Sequence, residues 1–64
     1  SKMIDNIASD PIEAEILLTL VGGARTAEML SKELNLPASQ IERSLNNLKE
    51  KRAISENERE WRIR

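Results

Sequence analysis

The sequence predicts a mainly α fold, three helices closed by a small β-hairpin in the order α-α-α-β-β, and three observations predict it. Behind Pro37, Ile41, Leu45 and Leu48 fall at i, i+4 and i+7, one stripe of a 3.6-residue helix. Upstream, Ala27, Leu30 and Leu34 repeat the pattern at i, i+3 and i+7, with only Asn35 and Leu36 between the two runs. At the C-terminal end the period changes to two, with Trp61 and Ile63 on one side and Glu60, Arg62 and Arg64 on the other.

In chain order, Met3, Ile4 and Ile7 form a short apolar stripe before the break at Ser9-Asp10-Pro11. It reads as a turn packed on the core or as a contact with a partner subunit or neighbouring domain. Residues 1–10 are therefore an N-terminal extension and residues 11–64 the domain. Asp10 can cap the first helix, Pro11 suits its first position, and Glu13 completes a capping-box-like pair. Ile16, Leu17, Leu18, Leu20 and Val21 cover most of its circumference, which predicts a buried central helix. Gly22-Gly23 ends it. No lysine follows at phosphate-loop spacing, so the glycines read as a helix stop.

Ala24-Arg25 is short enough for a one- or two-residue strand or a linker. Thr26 caps the second helix, and Asn35, tolerant of positive φ, ends it. Pro37 is expected at the first position of the third helix, which runs to about Lys51. The hairpin follows: Ala53-Ile54-Ser55, a turn over Glu56-Asn57-Glu58-Arg59, and Glu60-Trp61-Arg62-Ile63. An isolated hairpin is marginal in water, so Ile54, Trp61 and Ile63 must dock on the helices. Core packing is the better reading for Trp61, the single aromatic residue.

Sixty-four residues make one small domain with a limited core. Without cysteine there is no disulfide or thiolate-metal staple, and the chain suits a reducing compartment. No apolar run reaches the roughly 18 residues of a membrane helix. A soluble, cytoplasmic module is expected, without cofactor, metal or an evident small-molecule substrate. With no histidine, no cysteine and no glycine-rich loop, nothing supplies a nucleophile and base, which argues against an enzyme. Net charge is −1, but residues 1–37 carry −3 and residues 38–64 carry +2. The half with the third helix is the basic one.

Two short helices joined by a tight turn, the second longer and polar on its outer face, read as a helix-turn-helix. With the hairpin added, the plan is a three-helix winged helix-turn-helix. The segment T-A-E-M-L-S-K-E-L-N-L-P-A-S-Q-I-E-R-S-L-N-N-L-K-E-K-R-A-I resembles that of winged-helix regulators of the MarR and ArsR types. It is also similar to small winged modules at the ends of replication and DNA-processing proteins. One departure is Arg52, where such sequences usually carry glycine; either a left-handed non-glycine residue there costs roughly 1 kcal/mol, or the turn differs. The length and helix spacing are also similar to those of winged domains that bind Z-form nucleic acid. Their asparagine and tyrosine, four apart, are replaced by Glu42 and Asn46, and the wing lacks their proline pair.

The function expected is binding of double-stranded DNA with the third helix in the major groove, in transcription regulation or DNA replication and processing. Ser39, Gln40, Arg43, Asn46 and Asn47 are the candidate base contacts. Gln40 suits adenine edges and Arg43 guanine. Lys32, Lys49, Arg59 and Arg62 are candidate phosphate contacts. Two features oppose this: Glu42 lies among the candidate contacts, and Glu56, Glu58 and Glu60 make the wing acidic. They favour the alternative, a winged-helix protein–protein docking module in a larger assembly. A homodimer or an association with other domains of a parent protein is also expected, because helix-turn-helix proteins often bind paired half-sites.

Overall fold

The computed structural model describes residues 2–64; the side chains of Lys2, Met3 and Asp5 lie outside that description, and with them Met3's share of the N-terminal stripe. The elements are α1 (Lys2–Ile7), α2 (Pro11–Val21), β1 (Arg25–Thr26), α3 (Ala27–Leu34), α4 (Ala38–Glu50), β2 (Ile54–Asn57) and β3 (Glu60–Ile63). The three expected helices are α2, α3 and α4, and the expected hairpin is β2–β3. The architecture is a winged helix-turn-helix with a short additional helix, α1, packed on α2.

Local chemistry explains each boundary. Asp10 is extended and its carboxylate accepts from the Glu13 N–H at 2.8 Å, capping α2. Glu13 does not return the bond to Asp10; its carboxylate accepts from the Ser9 N–H at 3.0 Å. At the other end Gly22 stays right-handed, and Gly23, at φ 135°, makes the left-handed turn that stops the helix. Thr26 Oγ1 accepts from the Met29 N–H at 3.1 Å, and Asn35 closes α3 at φ 55°, ψ 49°. Pro37 stands one residue earlier than expected. It is the extended N-cap residue of α4, and its carbonyl accepts from the Gln40 and Ile41 N–H groups. The helix-to-helix turn is therefore residues 35–37, held by the Leu36 N–H on the Ser31 carbonyl and the Ser31 hydroxyl on the Leu36 carbonyl.

Residues 54–57 extend the first wing strand two residues past its expected end, leaving Glu58 and Arg59 as the whole turn. Both have positive φ, 51° and 69°, the geometry of a two-residue turn matched to the twist of a hairpin. Arg52 is left-handed at φ 63°, a conformation that favours glycine. The sheet is three-stranded, in the order β1-β3-β2. Both pairings are antiparallel, with Arg25 opposite Trp61, Thr26 opposite Glu60 and Ile54 opposite Ile63.

The core joins Ile16, Leu17 and Leu20 of α2, Leu30 of α3, Ile41, Leu45 and Leu48 of α4, and Ile54 and Trp61 of the wing. Ile4 and Ile7 of α1 pack against its edge. Two expectations fail here. Leu18 and Val21 are 58% and 69% exposed, so α2 is central but not buried all round. Ile63 is 40% exposed, because β3 reaches the margin of the core there, and only Ile54 and Trp61 anchor the hairpin.

Candidate nucleic-acid interface

Burial of Ile41, Ser44, Leu45 and Leu48 fixes how α4 is rotated. The opposite stripe, Ser39, Arg43 and Asn46 at i, i+4 and i+7, is exposed to solvent, and none of the three has a hydrogen-bond or ion-pair partner among the described residues. These three candidate base contacts stand together on the crest of the helix.

Gln40 and Asn47, at i and i+7, lie on one flank. Gln40 is exposed, while the Asn47 amide reaches the buried Glu13 carboxylate at 3.5 Å. That flank faces α2, and it holds a cluster that sequence reading missed. Lys51, the C-cap residue of α4, donates to Glu13 Oε1 at 2.8 Å, to the Ile7 carbonyl at 2.9 Å and to the Ser9 hydroxyl. Glu13 is only 1% exposed. Burial pushes its carboxyl up, and donors from Lys51, Ser9 and Asn47, with the Lys51 charge, outweigh that and hold it below the ordinary carboxylate value. The cluster ties the end of α4 to the corner between α1 and α2. Its one sequence signal is a glutamate at a position three residues into a helix that otherwise turns apolar residues inward.

The other flank of α4 faces the wing. Glu42 and Asn46 wall a recess of about 240 Å³ with Ala27, Leu45, Glu56 and Trp61. An adjoining recess adds Thr26, Glu28 and Arg59. Lys49 stands with its ammonium 5.9 Å from the centre of the Trp61 ring, a cation–π distance. Three glutamates, Glu28, Glu42 and Glu56, thus line the space between helix and wing.

The candidate phosphate contacts are dispersed. Lys32 is exposed in the last turn of α3. Arg59 is at the wing tip. Arg62 is exposed on the strand face opposite Trp61, with a long 3.8 Å approach to Glu60. The fold brings the base-contact candidates onto one helix, whereas these cations come from α3, α4 and the wing. No described helix is long and apolar enough to cross a membrane.

Residues 1–61 match the model of a helix-turn-helix domain family described as Cmi2, C-terminal. The chain matches no curated protein and no solved structure.

Proposed function

The chain belongs to the helix-turn-helix family described as Cmi2, C-terminal, membership that points to DNA binding, and from that premise we propose a non-enzymatic module that binds double-stranded DNA with α4 in the major groove. One observation carries the reading: α4 buries one stripe and leaves Ser39, Arg43 and Asn46 unpaired on the other. The major groove admits one helix, and residues toward its N-terminus reach the base edges. Arg43 is suited to guanine, and Gln40 on the adjoining flank to adenine. Asn47 is shared with Glu13 and is the weakest of the five base-contact candidates. Lys32, Lys49, Arg59 and Arg62 supply phosphate contacts. The role that follows is in transcription regulation or DNA replication and processing, in the cytoplasm. A homodimer or the other domains of a parent protein would add the contacts that one small module lacks.

A second reading, a protein–protein docking module, is favoured by the glutamates between α4 and the wing and by exposed Leu18 and Val21. Titration of the isotopically labelled domain with a mixed-sequence duplex separates the two. Amide shifts centred on residues 39–47 and the wing, fading as salt rises, are the expected result. No shifts even at low salt would remove the DNA reading. Arg43→Ala should weaken binding to a selected site by about 1–3 kcal/mol and relax the choice at one base pair. Unchanged affinity would take the crest of α4 out of the interface.

A further inference from the structure

We infer that Glu42 is a specificity-determining residue of this interface, selecting cytosine in the major groove beside a base read by Asn46; the inference rests on the duplex reading above. Glu42 and Asn46 stand one turn apart on α4 and wall the same recess, which the wing closes with Glu56 and Trp61. Neither Glu42 nor Asn46 has a hydrogen-bond or ion-pair partner among the described residues.

An unpaired carboxylate on a groove-facing helix has few favourable neighbours. Phosphate is repelled, and Glu56 across the recess adds to that repulsion, while Arg59 of the adjoining recess forms no ion pair with either carboxylate. Among the described residues no group of acidic side chains is placed to hold a metal ion. Base edges remain, and the major groove presents two amine donors, cytosine N4 and adenine N6. A carboxylate accepts from cytosine N4, whereas adenine N6 and N7 together suit the amide of asparagine, which both accepts and donates. Helix residues four apart are about 6 Å apart at Cβ, and base pairs rise roughly 3.4 Å. Glu42 and Asn46 therefore address base pairs one or two steps apart. The acidic residue that weakens general affinity for DNA becomes the one that selects among sequences.

Selection from a pool of randomised duplexes tests this, using the chain as it stands and its Glu42→Gln and Glu56→Gln variants. Both positions are exposed, so the fold should persist, which far-ultraviolet circular dichroism checks. The unaltered chain should enrich cytosine at one position. Glu42→Gln should reduce that preference about tenfold and move it toward adenine, the base glutamine reads. Glu56→Gln should keep the cytosine preference and raise affinity for every duplex alike. A Glu42→Gln variant with the same preference, or with a uniform gain in affinity, would make the carboxylate a repulsive wall and overturn the inference. Duplex binding by the unaltered chain without any cytosine preference would overturn it alone. Absence of binding to any duplex would overturn the duplex reading and this inference with it.

Discussion

Lys51 ends α4 while its ammonium serves a carbonyl of α1, a hydroxyl of the connecting segment and the buried Glu13 carboxylate of α2. Removing one partner of a buried pair strands the other charge, a loss that reaches 3–5 kcal/mol when both are fully buried. Lys51 is 35% exposed, so solvent reduces this. Lys51→Met should lower stability by about 1–3 kcal/mol, read as a lower urea midpoint. The same cluster sets a pH dependence. Because the folded-state value of Glu13 is depressed, its contribution is present above the unfolded carboxyl value, near 4.3 for glutamate, and is lost as pH falls through the folded value. Thermal melts from pH 7 to pH 3 should show a decline in that acid window that is smaller in Lys51→Met. Equal declines would remove the pair as its cause. Arg52 offers the opposite experiment. Its left-handed backbone would suit glycine, so Arg52→Gly should stabilise by up to about 1 kcal/mol, and a lower melting temperature would show that the side chain offsets the strain.

Among the elements, the wing has the least favourable local chemistry. Glu58 and Arg59 hold both left-handed positions of its turn, where Asn-Gly is preferred. Glu58→Asn together with Arg59→Gly should raise the melting temperature and, measured against Glu58→Asn alone, should weaken duplex binding through loss of the wing-tip cation. A rise in stability with unchanged affinity would remove Arg59 from the interface. Much of the helical plan is legible in sequence, because caps act over three or four residues: Asp10, Thr26 and Asn35 each behave as their side chains dictate. The stripe of α4 is legible for the same reason, and with it the crest of Ser39, Arg43 and Asn46. Contacts between elements are not. Nothing near Arg25 in the sequence announces that it pairs with Trp61, and nothing near Glu13 announces Lys51, 38 residues away. The exposure of Leu18 and Val21 is hidden for a related reason: a helix apolar nearly all round does not declare which side lacks a neighbour.

For the whole molecule, one ring joins the layers. Trp61 lies opposite Arg25 and Glu56 in the sheet, belongs to the core formed with α2, α3 and α4, and carries Lys49 near its face. Trp61→Ala should cost about 3–5 kcal/mol, enough to leave so small a domain largely unfolded by circular dichroism at 25 °C. A folded variant that has lost duplex binding would instead make Trp61 a contact residue.

The pairing of β1 with β3 also orders events during synthesis. Residues 25 and 26 emerge from the ribosome well before residues 60 and 61, so the edge strand that leads into α3 waits without a partner while α4 and β2 are made. Local helices can form in that interval, but the strand that locks their arrangement comes last. A chain truncated before Trp61 should therefore present the helix-turn-helix to proteases with its core still open.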